Sequence, residues 1–323
     1  MAVYTHVSAE EIEDFISGYD VGEVLSFKGI AEGVENSNYL LRTRKNQYIL
    51  TLYEKRVDEN DLPFFLSLME HLAEKGINCA TPISDNKGRI LKNLCGRPAA
   101  LIGFLDGLSV MWPDAEHCMQ LGVAMAQMHM AADDFILRRE NDLSLDGWIN
   151  LANKCEARAD ECSIGLSDII KSELEYLKEK WPGHLPKGII HADLFPDNVF
   201  FLDGHLSGLI DYYFACFDIL SYDIAISMNS WCFEKDGSFN VTKASKLIAG
   251  YNNIRKLTAE EIEALPILCR GASLRFLLTR LYDWLNRVEG ALVKTKDPLE
   301  YLKMLRFHQT VKSAGEYGVA VKK

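Results

Sequence analysis

Residues 188–225 read "GIIHADLFPDNVFFLDGHLSGLIDYYFACFDILSYDIA", with two apolar runs, Val199–Leu202 and Leu206–Ile210, on either side of the turn Asp203-Gly204-His205. Short apolar runs separated by Asp-Gly predict a β-hairpin. The polar residues around it exceed what a turn needs: His191, Asp193 and Asn198 precede it, and Asp211, Asp218 and Asp223 follow.

His191, Asp193 and Asn198 stand between the strand-like "GII" and "VFFL" with the spacing H-x-D-x-x-x-x-N. That spacing is the one found in the catalytic loop of protein kinases, where the Asp accepts the proton of the substrate hydroxyl and the Asn holds Mg²⁺. Asp211 ends the next apolar strand, and the hairpin is expected to return it beside Asn198. One carboxamide and one carboxylate, with ATP phosphates and water, make a suitable oxygen set for a hard cation. The reading is therefore phosphoryl transfer with ATP and Mg²⁺, Asp193 as the catalytic residue, and Asn198 and Asp211 as metal ligands. A lone H-x-D, or a lone Asp at a strand end, is usually a cap or turn; the two together, with strand-turn-strand between them, point to chemistry.

At 323 residues with 48% hydrophobic side chains, the chain is long enough for about two domains with substantial cores. A net charge of −11 without a basic run argues against DNA or RNA as partner. No apolar run reaches the roughly 18 residues a membrane span needs, and the N-terminal stretch has neither an export nor a transit pattern. Eight cysteines without a C-x-x-C pair suggest reduced thiols in the cytoplasm.

The first hundred residues predict an antiparallel meander over Val24–Ile30, Asn38–Thr43 and Tyr48–Tyr53, then a helix over Asp61–Lys75 that stops at Gly76. No other helix is expected in this half. A second hairpin follows, with a turn at Asp85–Gly88 and a strand ending near Gly107. Beyond it, Ala115–Met130, Leu166–Trp181, Thr258–Cys269, Ser273–Val288 and Pro298–Val311 have helical spacing. The domains are expected to be 1–104 and 105–323.

With "HADLFPDN", "LIDYY", "CFDILSYDIA" and the N-terminal "GIAEGVENSNYLLRT" and "QYILTLYE" in view, the chain resembles the aminoglycoside phosphotransferase and choline kinase-like family over about residues 24–225. "GVENSNY", "YILTLYE" and "LRFLLTRLYDW" look like its homoserine-kinase branch. The resemblance implies an α+β, protein-kinase-like two-lobe fold. A small antiparallel-sheet lobe with one helix would bind the nucleotide, and a larger, mainly helical lobe would carry catalysis and acceptor. It implies phosphorylation of the hydroxyl of L-homoserine, a step of threonine synthesis. Another small-molecule kinase of this fold, for choline, an aminoglycoside, methylthioribose or an amino alcohol, remains open, as does a non-catalytic nucleotide-binding regulator.

By the same resemblance Gly29 and Gly33 would cover the phosphates. Ile49 and Ile210 would pack on adenine, with backbone groups over Leu101–Leu105, Phe104 included, bonding its edge. The amino-acid end of the acceptor would meet Asn36, Asn38, Tyr212, Asp223 or Arg275. His191 and Asp218 would support the catalytic loop, and Asp223 would also cap the following helix. One departure is plain: where kinases carry a phosphate-binding lysine on the third strand, this chain has Thr51.

Overall fold

The computed structural model describes residues 5–30, 36–54, 58–287 and 295–319. They form two compact units, Met1–Gly107 with Ser207–Tyr213 and Leu108–Leu206 with Phe214–Lys323. The division at residue 104 expected from sequence thus differs by a short return of the chain, which carries Asp211 into the first unit.

The first unit is built on one antiparallel sheet of strands β1 (Val24–Gly29), β2 (Ser37–Thr43), β3 (Gln47–Leu52), β4 (Pro82–Ile83), β5 (Leu91–Leu94) and β6 (Arg97–Gly103). Its order is β1-β2-β3-β6-β4, with β5 also paired to β6. Side chains alternate across a strand. Tyr39, Leu41, Tyr48, Leu50, Leu52, Ala99 and Leu101 therefore share one face, where they pack with Ile12, Phe15 and Ile16 of α1 (Ala9–Ser17). This helix was not expected from sequence, because its apolar face has only three buried residues. It is set by a capping box between Ser8 and Glu11. The opposite face of the sheet carries Asn38, Leu40, Ile49, Thr51, Ala100 and Ile102, with Asn38 opposite Thr51 and Ile49 opposite Ile102. Within this unit α2 (Leu62–Glu74) buries Phe64, Phe65 and Leu68, and the Phe65 ring meets Tyr213 edge-on at 5.7 Å.

The second unit contains β7 (Leu108–Ser109), α3 (Ala115–Ala131), α4 (Leu145–Cys155), α5 (Leu166–Lys180), β8 (Lys187–Ile190) and β9 (Val199–Leu202). After β10 (His205–Leu209), along which the chain passes to the first unit, it continues with β11 (Cys216–Ile219), α6 (Leu220–Trp231), α7 (Val241–Ile254), α8 (Ala259–Leu285) and α9 (Pro298–Thr310). Two expected helices, Thr258–Cys269 and Ser273–Val288, are one: α8 runs unbroken through Pro266 and Gly271. The glycine does not break it. A Cβ there would come within 2.3 Å of the Trp181 ring, so Gly271 lets α8 pack closely. All eight cysteines are free thiols.

His308 of α9 is wholly buried; its Nε2–H donates to Asn229 Oδ1 and its Nδ1 accepts from the Tyr317 hydroxyl, each at 2.7 Å. Both bonds suit a neutral ring. Burial, helped by the charge of Arg270, pushes its pKa down to about 3. The unfolded chain, with an ordinary histidine near 6.5, then binds the extra proton between those values. Stability should fall on acidification through that window by up to about 1.4 kcal/mol per pH unit. Urea unfolding at pH 7 and pH 4.5 checks it: the pH difference should shrink in His308→Gln, and an unchanged difference would contradict this role.

Candidate active site

The loop at 191–198 hangs between two short strands. β8 and β11 pair antiparallel with Ile190 opposite Cys216, and the chain leaves β8 through His191 and Ala192. Ala192 has φ +62, in the left-handed region that a side chain rarely adopts. Its surroundings hold it there. Asp223 of α6, with no exposed surface, accepts the His191 N–H on Oδ2 at 2.9 Å and the Ala192 N–H on Oδ1 at 2.8 Å. Arg275 of α8, 1% exposed, donates from Nη1 to the Ala192 carbonyl at 2.7 Å. The turn is gripped on both its polar groups.

Behind Asp223 stands His129 of α3, whose Nε2–H donates to Oδ2 at 3.1 Å while its Nδ1 is hydrogen-bonded with the Tyr251 hydroxyl at 2.8 Å. Burial alone would raise the Asp223 pKa. The hydrogen bond and charge of His129, with His191, outweigh it and hold the carboxyl below the ordinary range. Farther along the loop, Trp231 Nε1 donates to the Leu194 carbonyl at 2.7 Å.

So supported, the loop presents Asp193, half-buried, with Asn198 against it: Asn198 Nδ2 donates to the Asp193 carbonyl at 2.8 Å and to its Oδ2 at 3.1 Å. These bonds use only the nitrogen of the carboxamide. The oxygen of Asn198 is left as an acceptor, which is the atom a hard cation would take. Among the described residues no cluster of three or more His, Cys, Asp and Glu side chains could hold a metal on protein groups alone. One carboxylate and one carboxamide, completed by phosphate oxygens and water, is the set magnesium ordinarily takes.

In the first unit, Ser207–Tyr213 is tied down by Asn78, which donates to the Ser207 carbonyl and whose own carbonyl accepts from the Leu209 N–H at 3.0 Å. Gly208 is required, because a Cβ would sit 2.7 Å from the Asn78 carbonyl oxygen. Asp211 follows at φ +64 with its side chain exposed, and Ile210 before it is partly buried. Tyr213 anchors the end of the segment: its hydroxyl lies 2.9 Å from that of Tyr53.

Several expected contacts lie elsewhere. The Leu101 side chain is on the α1 face of the sheet, in the core, and that of Ile49 is on the other face. Tyr212 and Asp223 have no exposed surface, and both Asp223 oxygens are taken up by the loop, so neither is available to a substrate ammonium. Asp223 does not cap α6 either; it lies within the first turn and bonds outward. Arg275 braces Ala192 rather than facing open space. Asp218, expected to steady the loop, accepts instead from Asn141 Nδ2 and the Ile219 N–H, each at 2.7 Å. His191 is wholly buried beside Asp223. Asn36 is buried, its Oδ1 accepting from the Glu54 N–H at 3.4 Å. Gly29 ends β1 opposite Tyr39, and Phe104 is 40% exposed with its N–H donated to the Gln47 carbonyl at 3.4 Å. Gly33 lies outside the described residues. His129, Tyr251 and Trp231 were not singled out from sequence, since an isolated ring on a helix carries no local mark of what it will meet.

The profile of the phosphotransferase enzyme family matches residues 26–257. The homoserine kinase of Rhizobium meliloti (strain 1021) is 59% identical over 319 residues, covering 99% of this chain and 98% of the relative. That of Xanthobacter autotrophicus (strain ATCC BAA-1158 / Py2) is 58% identical over 320 residues, covering 99% and 100%. Among solved structures, an amicoumacin kinase in complex with AMP-PNP and Ca²⁺ aligns with a TM-score of 0.69 at 15% identity, over 94% of this chain and 92% of the other. A spectinomycin phosphotransferase in complex with ADP aligns with a TM-score of 0.66 at 15% identity, over 98% and 99%. These two establish the shared protein-kinase-like fold. The family match and the full-length identity go further: the chain belongs to the phosphotransferase enzyme family, and within it to the homoserine kinases.

Proposed function

We propose that the chain transfers the γ-phosphoryl group of ATP to the hydroxyl of L-homoserine, yielding O-phospho-L-homoserine and ADP, in the cytoplasm as a step of threonine synthesis. The observation that carries this reading is the catalytic loop, in which a left-handed Ala192 held by Asp223 and Arg275 presents Asp193 with Asn198 against its carboxylate. Asp193 orients the acceptor hydroxyl and takes its proton as the new O–P bond forms and the bond to ADP breaks. Asn198 keeps the carboxylate aimed by donating to it. Magnesium, held by the oxygens of Asn198 and Asp211, would offset charge on the phosphates. Gly29, Ile49, Phe104 and Ile210 are the proposed nucleotide contacts.

A panel of acceptors with γ-labelled ATP tests the assignment. L-Homoserine should be phosphorylated at least tenfold faster than choline, ethanolamine or an aminoglycoside at equal concentration, a margin of about 1.4 kcal/mol. Faster transfer to any of the others would replace homoserine as the acceptor. ATP binding without transfer to any acceptor would leave a nucleotide-binding regulator.

A further inference from the structure

The position that kinases give to a phosphate-binding lysine is filled here by Thr51, and the structure shows what Thr51 does instead. It is buried on β3, directly opposite Asn38 of β2, and its Oγ1 donates to Asn38 Oδ1 at 2.8 Å. On the neighbouring segment the hydroxyl of Tyr213 meets that of Tyr53 at 2.9 Å. The Thr51–Asn38 pair carries no charge.

Its geometry has a direction. A carboxamide can point either its oxygen or its nitrogen at a neighbour. With Thr51 donating, the oxygen of Asn38 is turned inward, and the NH₂ is left on the partly exposed side of the residue. Asn38 Nδ2 donates to no other described residue. Asn38 shares its sheet face with Ile49, the proposed adenine contact. We infer that Asn38, aimed by Thr51, supplies a neutral N–H donor to the phosphate chain of the nucleotide, and that this oriented amide takes over the positioning otherwise performed by an ammonium group. On this assignment Asn38 serves the nucleotide rather than the amino-acid end of the acceptor. The inference rests on the nucleotide half of the proposed function and is independent of which alcohol is phosphorylated.

Titration calorimetry with ADP and with adenosine, each in the presence of Mg²⁺, reads the assignment without an acceptor. Asn38→Ala should weaken ADP about tenfold, the usual size for a lost hydrogen bond to a charged group, and leave adenosine within twofold. Thr51→Val keeps the shape but removes the donor that aims the amide. It should weaken ADP in the same sense and again spare adenosine, while Thr51→Ser restores wild-type affinity. Asn38→Asp should be worse than Asn38→Ala for ADP, since a carboxylate repels phosphate. Equal loss of ADP and adenosine would mean a general disturbance of the sheet and overturn the assignment. So would unchanged ADP affinity with a raised KM for homoserine, which would return Asn38 to the acceptor. Wild-type protein that binds neither ligand would overturn both this inference and the kinase reading; failure with homoserine alone would touch only the latter.

Discussion

Asp193→Asn should lower turnover about 10²- to 10⁴-fold with the fold intact, the range expected when a positioned general base is removed. The substitution is isosteric, and the local bonding dictates how it fails. Asn198 Nδ2 donates to Asp193 Oδ2 at 3.1 Å, so the new carboxamide would turn its oxygen toward Asn198. Its NH₂ would then face the acceptor hydroxyl. A donor stands where an acceptor is required, and the proton has nowhere to go. Single-turnover transfer from γ-labelled ATP should show the loss in the chemical step, and ADP titration should show nucleotide affinity little changed. A folded Asp193→Asn protein with wild-type kcat would remove Asp193 from the reaction.

The second large effect concerns a residue that touches no substrate. Asp223→Ala would strip the acceptor from the His191 and Ala192 N–H groups and from His129, all of them buried. Breaking a buried, charge-assisted network by removing one partner costs about 3 to 5 kcal/mol. That is a large part of the roughly 5 to 15 kcal/mol that keeps a protein folded. Asp223→Ala should therefore give little folded protein. Asp223→Asn, which keeps one acceptor oxygen, should fold with reduced thermal stability and a lower kcat, because Ala192 is less firmly held at positive φ. Thermal melts and kcat of the Asn variant check this, and wild-type values for both would show that the loop does not depend on Asp223. The pH behaviour separates this residue from His308. With the Asp223 carboxyl held below its ordinary range, its contribution is in place above the unfolded value near 3.9 and is lost only as pH falls through the lower folded value. Weakening between pH 6.5 and 4 therefore reports His308, whose pKa is pushed down to about 3.

The residues that do the chemistry and those that hold them were legible to different degrees. Asp193 and Asn198 lie five residues apart on one loop, and the bonds between them are local, so their spacing alone conveyed the arrangement. The hairpin was equally local: Asp203 and Gly204 both adopt positive φ, as the Asp-Gly signal implies. Exchange of roles between Asp218 and Asp223 was not legible, because the two stand on one short stretch and differ only in what they meet. Asp218 reaches Asn141, 77 residues away, and Asp223 reaches His129, 94 residues away.

By itself the sequence determined the antiparallel meander, the hairpin and the identity of the catalytic loop, because turn, cap and alternation rules act over a few neighbouring residues. Only the tertiary structure decided that Asp223 and Arg275 grip Ala192, and that Thr51 aims Asn38 across a strand pair. Those choices depend on which faces meet and in what register. A buried polar group must find its partner wherever the packing brings one, at whatever distance along the chain.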